Sequence, residues 1–195
     1  MKQGLSEIIF ILDMTGSMKK LATETVIGFN NFVEEQKKVP GEARLTLVTF
    51  NSERTEKVYD HVDLKSVVPM RQDQYIPDEY TPLLDTIGST IVGVVERLKN
   101  TPEDERPEKV IVCIMTDGEE NFSRVYNRRQ IFDTITLQRK EHGWEFIFLG
   151  ANQDVYHEAG GIGIDKMDTQ SYDPTAKGTK VAYAGMSSTV TERRA

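Results

Sequence analysis

The amino-acid sequence predicts an open α/β sheet, mostly parallel, with helices on both faces and one antiparallel strand at an edge. Three observations carry this. Continuous apolar runs at 7–12 (EIIFIL), 109–116 (KVIVCIMT) and 144–150 (WEFIFLG) read as strands buried on both faces. Segments of helical periodicity lie between them, the alternation that builds parallel α/β sheets. The stretches ARLTLVTF and EKVYDHVDL alternate in polarity around NSER, which predicts a hairpin.

Element by element, the first buried strand covers 7–12. Met18, Leu21, Thr25, Phe29, Phe32 and Val33 then recur at helical spacing until Pro40-Gly41 breaks the pattern. The hairpin follows at 43–63, and 65–80 is polar and irregular. After Pro82 a helix places Leu84, Ile87, Ile91, Val94, Val95 and Leu98 on one stripe. The acidic stretch TPEDERPE is a solvated loop before the second buried strand. Ile131, Ile135 and 138–140 mark a further helix, followed by the third buried strand, in which Trp144 is expected to pack. A short helix at 153–160, an edge strand near 168–172 and a last helix at 175–194 complete the reading. The basic end of that last helix suits its dipole, while its two glycines weaken it.

With 195 residues, the chain is expected to form a single domain over 1–195. Acidic residues outnumber basic ones by 31 to 24, which argues against a nucleic-acid partner. The single cysteine, Cys113, lies in an apolar run and is expected to be a buried, inert thiol, suiting a reducing cytoplasm. No stretch reads as a signal peptide or is long enough to span a membrane. His61, His142 and His157 show no ligand spacing.

The chemistry concentrates where apolar runs stop. Asp13 ends the first buried strand, and Thr15 and Ser17 follow it at two-residue spacing; Asp117 ends the second. Pro82 at a first helical position makes Thr81 the expected N-cap, with one lone pair left free. In open parallel sheets ligands bind beyond the carboxyl ends of the strands. Asp13, Thr15, Ser17, Thr81 and Asp117 are therefore expected to converge there, with Asn152 and Asp154 near the third strand end. Oxygen-only ligands suit a hard cation such as Mg²⁺. Three neutral hydroxyls would leave that ion electrophilic and open to an outside carboxylate, and no residue nearby reads as a general base.

The motifs DMTGS at 13–17, TP at 81–82 and TDGEEN at 116–121 resemble the von Willebrand factor A domain. That family carries a metal-ion-dependent adhesion site with an Asp-x-Ser-x-Ser motif, a distant Thr and a later Asp. The resemblance covers residues 5–160 and assigns the five places to Asp13, Thr15, Ser17, Thr81 and Asp117. Thr15 stands where the family has a serine, which keeps the hydroxyl and adds a methyl. What the resemblance implies is a Rossmann-like fold, bound Mg²⁺ or Mn²⁺, and a protein partner docked through an Asp or Glu. It also suggests a final helix that shifts on binding.

Two rival readings stand beside it. Taken singly, each hydroxyl is a helix cap, and Asp85 supports a helix N-terminus; the whole constellation is then structural, with an empty site. Alternatively, ILDMTGS resembles the aspartyl-phosphate motif of haloacid-dehalogenase-type phosphatases, with Asp13 as nucleophile. That enzyme reading lacks the second acid, since Thr15 holds its place, and leaves Thr81 without a role.

Overall fold

In the computed structural model, which describes residues 1–151 and 154–195, one six-stranded sheet runs β3-β2-β1-β4-β5-β6. Its strands are β1 (Lys2–Asp13), β2 (Glu42–Phe50), β3 (Thr55–Asp63), β4 (Pro107–Thr116), β5 (Glu145–Gly150) and β6 (Thr169–Ser171). All neighbours are parallel except β2 and β3, whose hairpin turns at 51–54. The expected architecture is therefore the observed one, a Rossmann-like sheet with a single antiparallel edge.

The helices are α1 (Ala22–Lys38), α2 (Leu83–Lys99), α3 (Arg128–His142), α4 (Val155–Gly161) and α5 (Ala176–Arg194). Period-two alternation divides β1 between two cores. Ile8, Phe10 and Leu12 face α1 and α5, where they meet Phe29, Phe32, Tyr183 and Met186. Ile9 and Ile11 face α2, α3 and α4, meeting Ile87, Ile91, Ile131 and Val155. Trp144 packs in this second core, stacked on Phe146, and Cys113 is fully buried, its thiol pushed up to about 12 by desolvation.

Several boundaries differ from the sequence reading. β1 begins five residues earlier, because its first half pairs with β2 and β4 despite its polar residues. Glu7 is buried there and ion-paired to Arg97, with His61 Nδ1 3.4 Å from the same oxygen. The first helix opens with a 3-10 turn, Gly16–Leu21. The glycines of α5 do not break it, for each sits at a tight contact. A Cβ at Gly178 would lie 2.1 Å from the Asp173 carbonyl oxygen, and one at Gly185 3.0 Å from Gln170 Oε1. Across the interface, Gly28 of α1 lets the Tyr183 ring lie where a Cβ would come within 2.2 Å.

Candidate functional site

β1 is the switch point of the sheet. The chain leaves it for β2 on one side and returns through α2 to β4 on the other. Its carboxyl end therefore opens into the crevice where such sheets take ligands. Asp13 occupies that end, paired in register with Phe50 of β2, and Asp117 follows β4 directly.

Asp13 is fully buried. Its Oδ1 accepts the Thr15 backbone N–H at 2.8 Å, and its Oδ2 accepts the Thr116 hydroxyl at 2.6 Å. Desolvation pushes its carboxyl up to about 6, against the lowering effect of those hydrogen bonds. The Asp13 backbone carbonyl accepts the hydroxyl of Tyr75, itself buried. Asp117 is raised in the same direction by burial, offset by a 2.5 Å hydrogen bond from Ser17 Oγ and by the charge of Lys20.

The three hydroxyls complete the group. Thr15 Oγ1 lies 3.4 Å from Ser17 Oγ and accepts from Thr81 Oγ1 at 3.3 Å. All five expected residues are thus brought together in one unbroken series of contacts: Asp117 to Ser17, Ser17 to Thr15, Thr15 to Thr81, with Asp13 beneath Thr15. Gly118 fits against it, since a Cβ there would meet Ser17 Oγ and Thr81 Oγ1 at 3.4 Å each.

None of these hydroxyls caps a helix, which corrects the capping expectation. Pro82, not Thr81, is the N-cap of α2, and Thr15 makes no side-chain cap to its 3-10 turn. The N–H groups that open α2 are satisfied from 36 and 38 residues away. Glu120 accepts from Leu84 N at 2.9 Å, and Ser123 Oγ from Asp85 N at 3.0 Å. Glu120 also accepts from the backbone of Phe122 and Ser123. Asp85 does not serve its own helix end through the dipole alone; its carboxylate accepts the N–H groups of Arg124, Val125 and Tyr126. Asn121 exchanges hydrogen bonds with Thr81 in both directions, at 2.9 and 3.1 Å, and so fixes it.

Thr116, Tyr75, Glu120 and Asn121 are the site residues that sequence reasoning missed. Only the polar run TDGEEN carried a signal for any of them. Asn152 lies outside the described residues, and Asp154 is exposed at the start of α4. His142 and His157 are exposed. Among the described residues no three His, Cys, Asp or Glu side chains gather as a metal-binding group. The convergence here consists of two carboxylates and three alcohols.

In an octahedron with metal–oxygen bonds near 2.1 Å, adjacent ligand oxygens lie roughly 3.0 Å apart. The hydroxyl pairs at 3.3 and 3.4 Å are within a few tenths of that edge. The donor set is all oxygen, the preference of a hard cation. The donor chemistry of the five residues suits Mg²⁺ or Mn²⁺, and the spacing of the three hydroxyls is compatible with it.

A mostly parallel Rossmann-like sheet with helices on both faces and one antiparallel edge strand defines an open α/β domain. The sequence profile of the von Willebrand factor type A domain matches residues 7–181, so the chain belongs to that family. The match runs past the 5–160 read from the motifs and into α5. Domains of this family commonly act as protein-interaction modules. Among solved structures, two of proximal thread matrix protein 1 from the mussel byssus are similar. Each covers 96% of this chain; TM-scores are 0.67 and 0.63 at 16% and 17% identity, a likeness of fold alone. The chain spans about half, 46%, of that protein's length. A search of curated protein sequences finds no match. Among the described residues no helix is long and apolar enough to cross a membrane.

Proposed function

We propose that Asp13, Thr15, Ser17, Thr81 and Asp117 form a metal-ion-dependent adhesion site for Mg²⁺ or Mn²⁺, through which the domain binds an Asp or Glu of a partner protein. The observation that supports it best is the unbroken oxygen series from Asp117 through Ser17 and Thr15 to Thr81, drawn from three separate segments. When bound, the cation supplies an electrophilic position for a carboxylate. The protein's part is to hold the hydroxyls free of capping duty and to keep Asp13 desolvated beside them. The buried Asp13 and the half-buried Asp117, whose affinity for protons is raised, favour a compensating cation.

The geometry favours binding over phosphoryl transfer. Thr15 stands where the phosphatase reading needs a second acid, and Thr81, which that reading leaves without a role, is joined to Thr15 through its hydroxyl. The charge of Lys20 acts on Asp117, and no lysine is among the groups that shift Asp13.

Thermal unfolding in Mg²⁺ and in chelator tests the reading. At 100 times Kd a bound ion adds about 2.7 kcal/mol, which raises Tm by roughly 5–10 °C for a chain of this size. Asp13→Ala should abolish that shift. No shift in the parent chain makes the constellation structural. Release of phosphate from an aryl phosphate, with a hydroxylamine-labile adduct at Asp13, makes it an enzyme.

A further inference from the structure

Beside the five-oxygen site lies a recess of about 470 Å³, walled by the 51–55 turn, the start of α2 and the 122–126 loop. It adjoins the site on two sides. Pro82, next to Thr81, forms one wall, and Asn51 follows the Phe50 that pairs with Asp13. Arg54 and Arg124 both line it and are both exposed, and neither guanidinium has an acidic partner among the described residues. Six arginines of this chain, Arg71, Arg97, Arg128, Arg129, Arg139 and Arg193, are paired with acids, so these two are among the cations left open to a guest. Arg124 lies over the Phe122 ring at 4.7 Å, and Phe122 stacks on Tyr80 at 5.4 Å, which fixes this cation on an aromatic shelf next to Thr81. Of the acids in the wall, Asp85 has its oxygens taken by three backbone N–H groups. Glu53 is exposed and is the carboxylate left to oppose a guest, against two cations.

We propose that this recess is a second anchoring subsite, in which Arg54 and Arg124 bind another carboxylate of the same partner segment. The partner is then an acidic stretch of protein carrying two acids within a few residues of each other. One sits at the five-oxygen site and one between the guanidiniums, and the Tyr80–Phe122 shelf takes the chain between them. The inference rests on the metal-dependent reading above and gives it a partner chemistry. Arginine suits the task because its planar fork matches a carboxylate.

The test uses capped, fluorescein-labelled Gly/Ser peptides with one glutamate, or with two glutamates one to four residues apart, titrated by anisotropy in Mg²⁺ and in chelator. The expected result is metal-dependent binding of every peptide, with the best two-acid spacing roughly 5- to 20-fold tighter than one acid, inside the roughly 2- to 30-fold that two exposed ion pairs supply. In Arg54→Gln/Arg124→Gln that advantage should shrink to within twofold while the Mg²⁺-dependent Tm shift persists. Metal-dependent binding with no two-acid advantage, or an advantage that survives the double variant, overturns the subsite and leaves the metal reading standing. Equal binding in chelator, or no binding at all, overturns both. Competition by a short oligothymidine as strong as by the two-acid peptide reassigns the recess to a nucleic-acid backbone and overturns the proposal.

Discussion

In the absence of metal, Asp13 should be a liability to the fold, and replacing it should stabilise the protein. Its carboxyl goes from an ordinary 3.8 to about 6 in the folded chain, chiefly through desolvation. The group is fully buried, so solvent screening does not discount the effect. A rise of about two units corresponds to roughly 3 kcal/mol. A folded pKa above the unfolded one contributes stability below pH 4, and that contribution is lost as pH climbs through about 6. At pH 7.5 in chelator the parent chain therefore carries a buried, uncompensated charge. Asp13→Asn removes the charge and keeps an acceptor for the Thr15 N–H. The Thr116 hydroxyl can turn to accept from the new amide. Urea unfolding of both proteins in chelator should show the variant about 2–3 kcal/mol the more stable at pH 7.5. The difference should fade as pH falls from about 6 to below 4. Saturating Mg²⁺ should then raise the parent and leave the variant unmoved, closing the gap. A variant less stable than the parent at pH 7.5 without metal, or a difference that ignores pH, would refute the desolvation argument.

Further outcomes follow from the same contacts. Ser17→Ala and Thr81→Ala should each cost under about 1 kcal/mol in chelator, because neither hydroxyl caps a helix, yet each should sharply reduce the Mg²⁺-dependent Tm shift. Glu120→Ala strands the N–H groups of Leu84, Phe122 and Ser123; unfolding should show a loss of about 2–4 kcal/mol even without metal, where the exposed Glu119→Ala shows almost none. Gly28→Ala drives a methyl into the Tyr183 ring and should cost about 1–3 kcal/mol, recovered in part by Tyr183→Leu in a double-mutant cycle.

The fold was legible because each strand of the centre is buried on both faces, which leaves an apolar run that no helix pattern imitates. β1 was read too short for the converse reason. Lys2, Gln3, Gly4 and Ser6 lack an apolar signature, and their strand state comes from β2 and β4 alongside. The five oxygens were legible since each follows a strand end or precedes a helix. Their supports were not. Thr116 reaches Asp13 from 103 residues away, Glu120 reaches Leu84 from 36, and Tyr75 reaches Asp13 from 62. Local patterning has no term for contacts of that separation.

The one local rule that failed explains why the site can exist. Threonine before proline at a helix start is a capping signal, and a hydroxyl spent on a cap holds a backbone N–H against it. In this chain the proline itself takes the cap position. The acceptors for the helix end come from Glu120 and Ser123, on the loop that also carries Asp117. The carboxylate of Asp85 returns the tie by holding 124–126. Capping has been moved from the site residues to the loop behind them, and that exchange locks the Thr81 and Asp117 segments together. Thr81 is left with a hydroxyl that points to Thr15 instead of into its own helix. Cutting the exchange at Glu120 should therefore weaken metal binding through a residue that does not touch the oxygens, whereas restoring a local cap at position 82 with Pro82→Ser in that background should recover stability without recovering the metal.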